Sequence, residues 1–445
     1  MRRSIGIVML LAVPAWPAAA MAGTAAAGTE PGATAPAATG GGRPLALEEA
    51  IAMALEKNEG ILIERQALAS AGEAITGAKG AYDPVLEMDG GWRRTTAPVN
   101  SAFSGAPAGE ASPTEETTEA GLSVRQLLPT GGAVTFRTSA ARATIDGAFS
   151  LLSPAYGTQV GLEIRQPLLR DRAIDAARLT LRVAATDRDR AGALLRREIT
   201  DTVAAVERAY WTLVADRRAV EVRAEAVRLA EEQLQETGIR IGQGAAPETE
   251  IAQPRAELER RRGELLAALE TAARAESALK VLILGDGDEA FWSEPLAPAD
   301  DPAMPVAPVD LPAAMERALG TRPELEAAAA MVARRSVEAD FARDTIRPSL
   351  DAVVAHDRFG LAGSRNPAGM TLPGLPGSIP GGMEGEWGRS FGMLDDGRFD
   401  DTWAGLEFRI PLGNRAARAE AAIARGTALQ AAADLTRARK TVRSE

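Results

Sequence analysis

The chain has no cysteine. That excludes disulfides, thiolate metal sites, a cysteine nucleophile and a lipid carried on an N-terminal cysteine. Its single histidine is His356, so a histidine-built zinc site or histidine acid–base catalysis has poor support. Positive charge is not in excess: the net charge is −11 and the pI near 5.0 over 445 residues, which argues against a nucleic-acid-binding face. Acids and bases are interleaved, as on solvated helix surfaces. Beyond the N-terminus no stretch reaches the roughly eighteen uninterrupted apolar residues that a membrane-crossing helix needs.

What is present begins with a secretory signal. Arg2 and Arg3 form a charged start, Ile5 to Trp16 is apolar, and Ala20-Met21-Ala22 gives the small-x-small cleavage pattern. The mature chain is expected to begin at Gly23. Residues 23–44, rich in Ala, Gly, Thr and Pro, are expected to be disordered.

The most prominent tract runs from Asp171 to Leu284. Its first part, Asp171 to Thr237, is built from strong helix formers and would be about 100 Å long as a helix. It is too charged to cross a bilayer and reads as a soluble, coiled-coil-like rod. Gly238, Gly242, Gly244, Pro247 and Pro254 interrupt it, and a return helix from about Thr249 or Pro254 runs to Leu284. Residues 45–79 also have helical periodicity, with a break near Asn58–Gly60.

Between the helices the period changes to two. Leu86, Met88 and Trp92 alternate with Glu87 and Asp89; Leu122 and Val124 with Ser123 and Arg125; Val134 and Phe136 with Thr135 and Arg137; Val160, Leu162 and Ile164 with Glu163 and Arg165. One face is apolar and the other charged. A soluble β-sandwich and a membrane barrel both require this alternation.

The pattern then repeats. Leu47, Ala50, Ala54 and Leu55 match Leu311, Ala314, Ala318 and Leu319, and the same offset of 264 carries Pro84 to Pro348 and Leu86 to Leu350. At an offset of 244, Gly161 to Leu168 (GLEIRQPL) matches Gly405 to Leu412 (GLEFRIPL). Pro167-Leu168 and Pro411-Leu412 thus mark two equivalent strand–helix junctions. The expected organisation is a signal peptide (1–22), a disordered segment (23–44), a first repeat (45–284, strands about 85–167, helical hairpin 171–284), a linker (285–310) and a second repeat (311–445, strands about 349–411). Glu445 falls at the start of the second long helix, so the second repeat reads as truncated.

The signal, the duplicated helix–strand–strand–helix units, the G-L-E-x-R-x-P-L junctions and the rod-length helices together resemble the TolC family of outer-membrane efflux and secretion channels. The turn Arg240 to Gln253 (RIGQGAAPETEIAQ) is similar to that family's periplasmic tip, although Pro254 is unusual there. The resemblance implies an α+β membrane protein: long helical periplasmic hairpins, and antiparallel strands contributing to a barrel shared by a homotrimer. In that family each chain gives four strands. Six are readable here, and the Pro129–Gly132 hairpin is expected to be an extension outside the spanning set.

The implied function is a passive exit duct of a tripartite efflux or type I secretion system. Its implied partners are a periplasmic adaptor (membrane fusion) protein, an inner-membrane RND or ABC-type transporter, and outer-membrane lipid. Under this reading Gly242, Gly244, Ala245, Pro247, Thr249, Glu250, Ala252 and Gln253 form an adaptor-docking tip; a simple helix–helix turn would need the same glycines. Glu163, Arg165, Glu407 and Arg409 would line the barrel lumen; a solvated sheet face would carry the same charges. Trp92, Tyr156, Trp387 and Trp403 are candidates for an aromatic girdle or for ordinary packing. No catalytic, cofactor-binding or metal-ligating set is assigned. The alternative is a periplasmic coiled-coil scaffold or adaptor with a β-sandwich.

Overall fold

A computed structural model describes residues 42–96, 98, 105–107, 110, 112–301, 310–370, 379 and 382–445. The signal sequence and nearly all of the segment up to residue 44 lie outside the described residues. The body from Arg43 to Glu445 is one compact unit, built from long helices and one large antiparallel sheet.

Two short helices, α1 (Leu47–Lys57) and α2 (Glu59–Lys79), open the body. Asn58 separates them, and its side chain caps α2 by accepting from the Ile61 amide at 3.3 Å. The strands β2 (Val85–Thr96), β3 (Thr114–Leu127), β4 (Ala133–Ile145) and β5 (Leu152–Pro167) follow. Helix α3 (Ala176–Gly242) has 67 residues, about 100 Å at the usual rise. Helix α4 (Ala252–Ile283) returns along its distal half. The second half of the chain holds α5 (Glu289–Ser293), α6 (Leu311–Thr321), α7 (Pro323–Thr345), β7 (Ser349–Arg365), α8 (Trp387–Asp396), β8 (Asp400–Arg409) and α9 (Arg415–Ser444). The short strands β1 (Arg43–Leu45) and β6 (Leu296–Pro298) pair in parallel.

Near the sheet, α2, α3, α7 and α9 pack side by side in that order. Their contacts use small residues: Ala184, Ala191 and Ala193 of α3 are buried, which lets neighbouring backbones approach closely. Ion pairs lace the layer, including Arg334–Asp187 at 2.8 Å between α7 and α3, and Arg223–Glu264 and Arg262–Glu231, both 2.8 Å, between α3 and α4. The main apolar core lies midway along α3, where Val206, Tyr210 and Leu213 meet Ala50, Ala54, Leu279, Ile283, Phe291 and Leu296.

Several expectations need correction. The rod begins at Ala176, not Asp171, because Asp175 is the cap, accepting from the Arg178 amide at 2.7 Å. Gly238 lies within α3, and the break falls at Gln243. Arg43 and Pro44 are ordered in β1, and the 285–310 linker contains α5 and β6.

The Pro129–Gly132 hairpin does not project from the sheet as an extension would. It joins β3 and β4, which lie between β2 and β5 in one sheet ordered β2-β3-β4-β5-β7-β8. The register is continuous over thirteen pairs between β3 and β4 and eleven between β4 and β5. The turn sits against the helical layer, with the Thr130 hydroxyl 2.8 Å from Gln166 Oε1 and Gly131 at φ 86° beside Asp171 and Arg178. The first repeat therefore contributes four strands and the second two. In the single chain the sheet is open, with β2 and β8 at its edges.

Candidate functional site

Strand register decides which side chains share a face. Glu163 lies opposite Ala355, and Asp351 opposite both Pro167 and Glu407. One face consequently gathers Glu163, Arg165, Glu407 and Arg409, the residues expected there, together with Arg137, Gln159, Asp351 and Asp357, which sequence reading did not single out. Arg137 clasps Asp357 through two hydrogen bonds of 3.1 and 3.0 Å, and Gln159 donates to the same carboxylate at 3.0 Å. Arg165 clasps Glu407 at 2.6 and 3.3 Å. Glu163 stands between the two arginines, 3.7 Å from each. The result is an alternating row, Asp357–Arg137–Glu163–Arg165–Glu407, that ties together β4, β5, β7 and β8. Gly161 makes it possible: a Cβ there would stand 2.0 Å from Asp357 Oδ1. Forked arginine–carboxylate pairs fix geometry better than single contacts, although half-exposed pairs contribute only about 0–1 kcal/mol each.

The opposite face carries Leu86, Met88 and Trp92 on β2, Leu122 and Val124 on β3, Phe136 on β4, Leu162 and Ile164 on β5, Val354 on β7, and Leu406 and Phe408 on β8. These are not buried: Met88 is 68% exposed, Trp92 64%, Leu406 65% and Phe408 61%. Monomeric soluble proteins rarely expose contiguous apolar faces; such faces mark contact with protein or membrane. At the end of this face away from the helices, α8 lies across it. Thr158 Oγ1 and Ser390 Oγ share a hydrogen bond of 2.9 Å, and Tyr156 packs edge-on against Trp387 with centroids 4.9 Å apart. Of the four aromatic candidates, only Trp92 stands exposed on the apolar face. Tyr156 and Trp387 pack on each other, and Trp403 lies on the polar face with Glu407.

The two strand–helix junctions are built alike. Pro167 ends β5, and the Leu168 amide donates to Leu350 O at 2.7 Å. Pro411 follows β8, and Leu412 is almost fully exposed. In each junction one non-glycine residue takes a left-handed conformation, Asp171 at φ 64° and Asn414 at φ 42°. Each is held by a backbone or side-chain bond to the end of α7: Asp171 N to Asp344 Oδ2 at 2.8 Å, and Asn414 Nδ2 to Ile346 O at 2.9 Å.

Midway along the rod sits a polar knot not foreseen from sequence. Tyr210, fully buried, directs its hydroxyl at Asp300 Oδ2 (2.6 Å) and Leu45 O (2.9 Å), and accepts from the Ala299 and Asp300 amides at 3.2 and 3.3 Å. Burial first, and Asp300 second, push the phenol up to about 12. Asp300 also accepts from the Leu47 amide at 2.7 Å. It thereby supplies the α1 cap that Ala46 lacks. The Tyr210 hydroxyl first, then that amide, hold the Asp300 carboxyl below the ordinary 3.8, against the opposing effect of burial.

At the far end of the rod, α3 stops at Gly242. Gly244 turns the chain at φ 69°, and the Ala245 amide bonds back to Arg240 O at 2.8 Å. Pro247 and a 3₁₀ turn at Glu248–Ile251, containing Thr249 and Glu250, lead into α4, which begins with Ala252 and Gln253. Pro254 falls in its first turn, where a missing amide costs little. Gly242, Gly244, Ala245, Pro247, Thr249, Glu250, Ala252 and Gln253 are all exposed.

The architecture is a two-faced open sheet standing on long packed helices. No family model matches this chain, and no curated protein matches it. Solved structures do. The CmeC outer membrane channel of Campylobacter jejuni aligns with a TM-score of 0.56 at 14% identity, over 89% of this chain and 68% of that one. The outer membrane protein VceC of Vibrio cholerae gives 0.54 at 14%, over 89% and 75%. The open state of the MtrE outer membrane channel of Neisseria gonorrhoeae gives 0.51 at 15%, over 89% and 70%. This chain has the fold of these outer-membrane channels.

Proposed function

We propose that the chain is the outer-membrane component of a tripartite efflux or type I secretion system, a passive duct shared by three copies. One observation carries the reading: a sheet with an exposed apolar face, a charged opposite face and two unpaired edges. Lipid would cover the first face and a water-filled lumen the second. Unpaired strand edges cannot face hydrocarbon, so copies must close on one another. On this reading the junctions at Pro167-Leu168 and Pro411-Leu412 lie at the periplasmic boundary of the membrane, and the helices extend into the periplasm. The Gly242–Gln253 turn docks a periplasmic adaptor, and an inner-membrane RND or ABC-type pump supplies the energy. Membrane fractionation tests this. Recovery in the outer-membrane fraction as a heat-sensitive oligomer is the expected result, whereas a protein soluble without detergent would favour a periplasmic scaffold.

A further inference from the structure

We propose that each copy places all six strands in the membrane wall, so that three copies close an eighteen-stranded barrel through β8 of one copy pairing with β2 of the next. The inference rests on the shared-duct reading above and deepens it.

The register supplies the geometry. One line of paired residues crosses the sheet: Val85, Arg125, Thr135, Glu163, Ala355 and Trp403. Val85 is the first residue of β2, at the helical layer, whereas Trp403 is six residues short of Arg409, where β8 returns to that layer. If β8 ends flush with the next copy's β2, Arg409 opposite Val85, Trp403 meets Gly91, so the stagger is six residues over six strand spacings, a tilt of about 35° from a rise of about 3.3 Å and a spacing of about 4.8 Å. That tilt falls in the range of closed barrels. Strand directions also allow closure. The six strands alternate, so β8 meets the next β2 antiparallel.

The edges complement each other in one register. Setting Arg409 opposite Val85 of the next copy matches the two strands flush at the helical layer. Phe408 then faces Leu86, and Leu406 faces Met88, on the apolar side. On the polar side Glu407 faces Glu87, a like-charge pair that the Arg165 clasp on Glu407 offsets, and further along Asp401 faces Arg93, while Asp400 faces Arg94 on the other side. Sliding by two residues either way breaks both acid–base matches. Opposite charges directly across a strand pair favour one register over its neighbours.

The girth follows. Six tilted strands span about 35 Å of circumference. The four helices beneath them, α2, α3, α7 and α9, span about 32–40 Å at ordinary interaxial distances. Wall and tunnel therefore match without a narrowing at the membrane. Eighteen strands give a ring about 34 Å across its backbone; twelve strands at the same tilt would give about 22 Å. The β3–β4 hairpin accounts for the difference.

Because the chain lacks cysteine, engineered pairs are clean probes. The double variant Arg93→Cys with Asp401→Cys, extracted from membranes in detergent, is expected to form disulfide-linked dimers and trimers that reducing agent dissolves. The off-register pair Arg93→Cys with Glu407→Cys is expected to give none. End-on electron-microscopy averages of the unmodified oligomer should show the wider ring. A membrane-embedded oligomer with the narrower ring, or without the 93–401 cross-link, overturns the eighteen-strand closure and leaves the channel reading standing. A soluble monomer overturns both.

Discussion

Tyr210→Phe isolates the polar knot. The substitution keeps the ring that fills the core between Ala50, Leu279 and Leu296, so no cavity opens. It removes one hydroxyl. Leu45 O loses a donor but keeps the Ala299 amide at 3.0 Å, and Asp300 keeps the Leu47 amide. The loss is therefore partial, at the lower end of the 1–3 kcal/mol typical for stripping a buried polar group, or about 1–2 kcal/mol. A local opening equilibrium would rise about five- to thirty-fold. Hydrogen exchange on the detergent-solubilised oligomer reads this directly at two amides, Arg43, which donates to Pro295 O at 2.8 Å, and Ala299. Faster exchange is expected there and along β1 and β6, with the six-stranded sheet unchanged. A change below about twofold at both amides would refute the assignment of the hydroxyl as the tie between the chain's first strand and the rod.

Three further outcomes are expected. Acidification should loosen the same knot. The Asp300 carboxyl is depressed in the folded chain, so its contribution is present above the ordinary 3.8 and is lost as pH falls through the lower folded value; protection at Leu47, the exchange rate relative to the intrinsic rate at each pH, should fall only below about pH 4. Ala245→Trp should abolish transport in cells while leaving membrane insertion and oligomer intact. It tests docking better than Gly244→Trp, because Gly244 sits at φ 69°, where a side chain would add about 1 kcal/mol of backbone strain. Arg165→Glu would set four acids together with Glu163, Asp351 and Glu407, so planar-bilayer recordings should show a marked shift toward cation selectivity, and unchanged selectivity would remove these residues from the lumen.

The rod and the strands were legible because each writes a period into the sequence, 3.6 for one and two for the other. The rod's ends were less so. Gly238 costs the helix about 1 kcal/mol, which a helix packed along α4 absorbs, so a residue that signals a break does not make one. Asp171 resembles a cap, yet a left-handed turn intervenes and Asp175 caps instead. The face assignment of Glu163, Arg165, Glu407 and Arg409 followed from alternation alone. Their pairing with Arg137 and Asp357 did not, because register across 220 residues of sequence leaves no local trace. The hairpin's place in the sheet is written locally. Its signal, a Pro-Thr-Gly-Gly turn between two alternating runs, is that of a sheet hairpin, whereas the expectation of an extension comes from the four strands that the resemblance implies and not from these residues. Tyr210 and Asp300 were beyond reach, since a tyrosine within a helix and an aspartate in a Pro-rich segment are individually unremarked.

The inserted hairpin has one more consequence. Two antiparallel strands added between β2 and β5 leave the direction of every other strand unchanged, and with it every junction to α2, α3, α7 and α9. A sheet built this way can gain or lose circumference in increments of one hairpin per copy while the shafts below keep their places. In a channel closed as proposed above, bore and shaft length would thus be separate variables, one set by hairpin number and the other by helix length.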